Sequence, residues 1–139
     1  MTMLQMDGAL ITAYQAVGLG LTTAYEGEEF IPPKDGSNWA AVFIVPAVID
    51  FNSLGVNGTD LHRGFMQVDF NCKHGTGRAT LVGYAESMRA YFIGGRALTL
   101  SGQNVRVLTV DRTPVREIDG WMRLSVTVNW ESETIRPAV

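Results

Sequence analysis

Residues 62–92 read HRGFMQVDFNCKHGTGRATLVGYAESMRAYF, and the change of period within them decides the fold class. From Gly64 to Lys73 the chain alternates: Met66, Val68, Phe70 and Cys72 fall on one face, and Gln67, Asp69, Asn71 and Lys73 on the other. A period of two predicts a strand with one face on a core. His74-Gly75-Thr76-Gly77 breaks the pattern, because glycine accepts backbone angles that other residues avoid. From Arg78 the period lengthens. Leu81, Tyr84, Ala85, Met88 and Phe92 recur three or four apart, while Thr80, Glu86, Ser87 and Arg89 face away. This predicts an amphipathic helix, capped by Thr76 or Gly77. The strand and the helix can then cover each other's apolar surfaces.

Toward the N-terminus, Met3, Met6, Leu10, Ala13 and Val17 share a helical face, which predicts a helix over residues 4–17 ended by Gly18 and Gly20. Leu21 to Tyr25 suits a short strand. Glu26 to Asn38 reads as a loop, since Pro32-Pro33 cannot join a central sheet. Trp39 to Phe51 is apolar at nearly every position, which predicts a strand covered on both faces. Pro46 removes a backbone donor, so a bulge, a bend or an edge position is expected there. Asn57-Gly58 is a hairpin-turn signal, and the strand from Arg63 is expected to return antiparallel.

Toward the C-terminus, Val105 to Val110 reads as a strand and Asp111 to Gly120 as a long charged connection. Trp121 to Trp130 alternates, with Met122, Leu124, Val126, Val128 and Trp130 inward. Glu131 to Val139 has no periodicity and reads as a flexible tail. The fold class that follows is α+β: a mainly antiparallel twisted sheet, two helices packed on one face, and long hairpin connections. No linker divides the chain, so residues 1–139 are expected to form a single domain.

Composition excludes several function classes. The formal net charge of -3 argues against a general nucleic-acid binder. Nine of the eleven cations are arginines, which favour planar ion pairs and interfaces. Cys72 is the single cysteine, so no disulfide forms within the chain. The first residues lack a signal-peptide pattern, and the longest apolar run is too short to span a bilayer. A soluble protein made in a cytoplasm is expected, with no membrane partner.

No chemistry stands out. Cys72, His74 and His62 share strand parity, but no second ligand pair completes a zinc site, so no metal is expected. His74-Gly75-Thr76-Gly77-Arg78 lacks the Lys-Ser/Thr ending of a phosphate loop, and no cofactor is expected. Asp69 points away from the face of Cys72, which weakens the triad that Cys72, a histidine and Asp69 would form. No catalytic residue is assigned. Two segments are left over. Phe30, Ile31 and Pro33 place apolar residues in a charged loop, and such segments dock onto neighbours. Arg112, Arg116, Glu117 and Asp119 crowd the last connection, where mixed charge can set register with a partner. These seven residues are the candidate interface.

The order of motifs resembles the tail-terminator-like proteins of long-tailed bacteriophages. The likeness runs from Met6 to Trp130: an N-terminal helix, Phe30-Ile31-Pro32-Pro33 followed by Trp39, Arg63-Gly64 opening an alternating strand, Gly75-Thr76-Gly77 before a helix ending near Phe92, and Asp119-Gly120-Trp121 opening the last strand. The resemblance implies a structural, non-enzymatic virion protein. It would form a ring, usually a hexamer, on the last ring of tail tube protein, stop tube growth, and present a surface to which the filled head attaches. Its implied partners are other copies of itself, the tail tube protein and the head–tail connector protein, with DNA passing through the ring without specific binding. Assembly in the host bacterial cytoplasm is implied. A head–tail joining (neck) protein would carry similar motifs. A small soluble enzyme, with its site between helix 78–92 and the sheet, is the rival from another class.

Overall fold

The computed structural model describes residues 2–51, 53–55, 58–75 and 78–135. In chain order the elements are α1 (Thr2–Val17), β1 (Thr22–Tyr25), β2 (Trp39–Phe51), β3 (Thr59–Lys73), α2 (Ala79–Tyr91), β4 (Ala97–Leu100), β5 (Gln103–Arg112), β6 (Arg116–Ile118) and β7 (Trp121–Ile135). The fold is α+β. The strands form a seven-stranded sheet in the order β1-β2-β3-β7-β5-β4, with β6 also on β7. The β1–β2 pair is parallel and the other pairings are antiparallel, so the sheet is mixed rather than antiparallel throughout.

The alternating stretch behaves as its period dictates. Val68 pairs with Val42 on one side and Val126 on the other, so the three side chains share a face. Met66, Phe70, Cys72, Leu124, Val128 and Trp130 extend that face. Met6, Leu10, Leu81, Met88 and Phe92 of the two helices join it in one buried cluster. The Cys72 thiol is buried there, and burial pushes its pKa up. Arg78 is the N-cap of α2, and its side chain makes no capping hydrogen bond. The expected caps, Thr76 and Gly77, lie outside the described residues, as does Asn57 of the predicted turn.

Several expectations are corrected. The continuous apolar strand β2 is covered on both faces only over its first residues: Trp39 to Val42 are buried, and the strand is exposed from Val45 onward. The register of β2 against β3 shifts between Pro46 and Val48, which is the bulge the proline predicts. Residues 131–135 are no tail. They continue β7, pairing with β3 from Glu131↔Arg63 to Ile135↔Thr59. β3 supplies a complete row of backbone partners there, so pairing holds these residues without apolar alternation. Residues 136–139 lie outside the described residues.

The charged connection from Asp111 to Gly120 is also half strand. β5 continues to Arg112, β6 takes over at Arg116↔Arg123, and the hairpin closes at Asp119 and Gly120. Both have positive φ, 52° and 81°, the geometry of a tight two-residue hairpin turn. Ser101 and Gly102, at φ 50° and 83°, close the β4–β5 hairpin in the same way.

Candidate functional site

The sheet face opposite the helices is polar, and its lower part is closed over. Asp69 is only 7% exposed. Its Oδ1 accepts hydrogen bonds from Ser125 Oγ at 2.5 Å and Gln67 Nε2 at 2.8 Å. Arg116 Nη2 donates to Ser125 Oγ at 2.9 Å, and Nη1 donates to Thr113 Oγ1 at 2.7 Å. Ser125 N donates to that same Thr113 oxygen, and Ser125 O accepts from Thr113 N. This network staples the β5–β6 junction onto β7 and β3. Beside it, Arg123 Nε donates to Asn71 Oδ1 at 2.7 Å.

The proline loop covers the neighbouring part of that face. Phe30 lies 5.1 Å from the Trp39 ring, and Trp39 meets Trp121 edge-on at 5.8 Å. Trp121 is half-buried and Trp130 fully buried, on opposite faces, as their spacing requires.

The seven candidate interface residues therefore divide. Ile31 is 77% exposed, and Arg112, Glu117, Asp119 and Pro33 lie at or near the surface. Glu117 pairs with His74 at 3.1 Å. Phe30 and Arg116 are half-buried and occupied inside the molecule, by Trp39 and by Thr113 and Ser125. The structure brings Arg116 near Asp69, a residue given no role by its sequence position.

A further exposed apolar surface lies elsewhere. The upper parts of β2, β3 and β7 form an arm beyond the helices. Its apolar residues include Val48, Ile49, Phe51 at 75%, Leu54 at 83% and Ile135. Sequence composition hid this, because an apolar run reads the same whether or not something lies above it. At the base of the arm Glu131 is buried and paired with Arg63 and Arg106.

Grooves flank the sheet at its two sides. One lies between α1 and the β1–β2 edge, is about 520 Å³, and is lined by Asp7, Glu26 and Glu28 with Leu4, Ile11 and Ile44. Glu26 Oε1 accepts a hydrogen bond from Ile44 N at 2.6 Å. The other, about 360 Å³, lies between α2 and β5. It holds Glu86, Arg89, Asp111 and Arg112 over Val82 and Val110, and no histidine or cysteine. This is where a small enzyme would have its site. Among the described residues no three His, Cys, Asp or Glu gather to hold a metal ion, and no helix is long and apolar enough to cross a membrane.

The model of the phage tail terminator protein family matches residues 6–130, and the chain belongs to that family. Membership implies a structural role in a phage tail, and a place in the virion. No curated protein matches the chain. A solved structure with 17% identity matches 94% of this chain and 97% of its own, with a TM-score of 0.70. At that identity the likeness is one of fold.

Proposed function

We propose that this protein forms a ring, hexameric as the family resemblance implies, at the head-proximal end of the tail tube. There it stops tube polymerisation and provides the surface to which the head joins. Its partners are further copies of itself, the tail tube protein and the head–tail connector protein. DNA passes through the ring without being held, in keeping with the net charge of -3. Assembly takes place in the host bacterial cytoplasm. The observation that carries this reading is the family match over residues 6–130. The exposed apolar arm supports it, since monomers rarely leave such a surface uncovered.

The test is polymerisation of the cognate tail tube protein with and without this chain. Tubes of bounded length in its presence, and indefinite ones in its absence, are expected. Tubes that grow equally long in both would overturn the proposal. Tubes already bounded without it, together with heads that fail to attach only when it is missing, would move it to the neck.

A further inference from the structure

The two flanking grooves differ in charge and sit at opposite edges of the sheet. The α1–β2 groove carries Asp7, Glu26 and Glu28 and no lysine, arginine or histidine in its lining. On the β5 side, Arg112 is shared between the α2–β5 groove, which holds Arg89, and an adjoining groove that holds Arg78. Asp111, also on that side, accepts a hydrogen bond on Oδ2 from Asn129 Nδ2 at 3.2 Å and keeps its charge, so Arg78, Arg89 and Arg112 outnumber the acids Glu86 and Asp111 by one. Both grooves are partly apolar: Leu4, Ile11 and Ile44 on one side, Val82, Val110 and Val115 on the other.

Both also reach strand edges whose outer neighbour stops short, although in β2 the Ile44 N–H is already taken by Glu26. β1 pairs with β2 only from Trp39 to Val42, and β4 pairs with β5 only from Gln103 to Arg106. Among the described residues no strand lies outside β2 from Phe43 to Asp50, or outside β5 from Thr109 to Arg112. Such edges are places where another chain seats itself.

We infer that a second copy of this chain is the occupant: the acidic α1–β2 groove of one copy meets the arginine-rich α2–β5 side of the next. This rests on the ring reading above and names the surfaces that would close the ring. A closed ring needs two different patches on opposite sides of each copy. These grooves are two such patches, one acidic and the other with an excess of arginine, each beside a strand edge. Asp7 adds a further reason. Partial desolvation of its otherwise exposed side chain, and then the charge of Glu26, raises its pKa above the ordinary aspartate value. A guanidinium from the neighbour would relieve that strain in its charged form. Arg112, singled out in the sequence, acquires a partner surface, whereas Arg116 is already spent within its own chain.

The test is sedimentation velocity with two charge-reversed variants. Asp7→Arg with Glu28→Arg reverses one groove and spares Glu26, which holds Ile44. Arg89→Glu with Arg112→Glu reverses the other. All four positions are exposed, so each variant should melt as the parent does. Each alone should lose ring by roughly tenfold or more. An equimolar mixture should regain it, because every reversed groove then meets a reversed partner in alternation. Variants that form rings as the parent does would overturn the groove assignment and leave the ring standing. So would variants that fail alone and remain apart when mixed. A parent that stays monomeric, alone and on tail tubes, would overturn the ring reading itself. If reversal unfolds a variant, the neutral changes Glu28→Gln and Arg89→Gln serve instead. They should reduce the dependence of the ring on salt, and an unchanged dependence would overturn the assignment.

Discussion

The two halves of β2 have nearly the same composition and opposite surroundings. Trp39, Ala40, Ala41 and Val42 are buried between the helical core and the layer formed by the proline loop. Val45, Val48, Ile49 and Phe51 follow in the same strand and are open to solvent. The hinge between them is the bulge at Pro46, opposite Gly64. The lower half spends its apolar surface on folding. The upper half leaves its apolar surface exposed. Apolar content alone therefore does not set burial; what matters is whether another element of the same chain lies over the strand.

That contrast can be broken by substitution. The largest effect should come from the lower half: Phe70→Ala removes a fully buried ring and should cost about 3–5 kcal/mol in denaturant unfolding. A cost under about 1 kcal/mol would mean that the core lies elsewhere. Gly64→Ala tests the hinge. A Cβ there would sit 2.5 Å from Val45 O and 3.0 Å from Trp130 Cζ2. One neighbour is backbone and cannot swing aside, so a loss of about 1–3 kcal/mol is expected. A variant as stable as the parent would show that the two strands slide apart easily at the bulge.

Ser125→Ala should cost about 1–3 kcal/mol, because it takes a donor from the buried Asp69 and an acceptor from Arg116. Proteolysis near Thr113 should quicken in the same variant. Unchanged stability and cleavage would deny the network its stapling role. The smallest stability effect belongs to the arm. Ile49→Ser with Leu54→Ser should shift unfolding by no more than about 0.5 kcal/mol each, yet weaken assembly. A large loss of monomer stability would mean that the arm folds back on its own chain.

Much of the fold was legible wherever a period was long and clean. The alternation of Met66 to Cys72 and of Met122 to Trp130 placed the two central strands and their faces. The helical spacing from Leu81 to Phe92 placed α2. What escaped was set by partners distant in sequence. Glu131 to Ile135 show no apolar alternation because backbone pairing with β3 holds them. β4 and β6 are too short for a period to develop, and the turns at Ser101-Gly102 and Asp119-Gly120 show only in their positive φ angles. The candidate surface was legible only in part. Arg112 and Ile31 are exposed, but charge alone could not tell that Arg116 turns inward to Ser125. The arm was hidden because its residues look like core.

The central claim is that the uncovered half of this molecule exists for assembly on a phage tail. Electron microscopy of the purified protein mixed with cognate tail tubes tests it most directly, with the Ile49→Ser and Leu54→Ser variant beside the parent. The account predicts six-fold rings of the parent at one end of the tubes, and bare tube ends with the variant, which melts as the parent does. Tube ends capped equally well by both would contradict a role for the arm, and tube ends left bare by both would contradict the tail-terminating function.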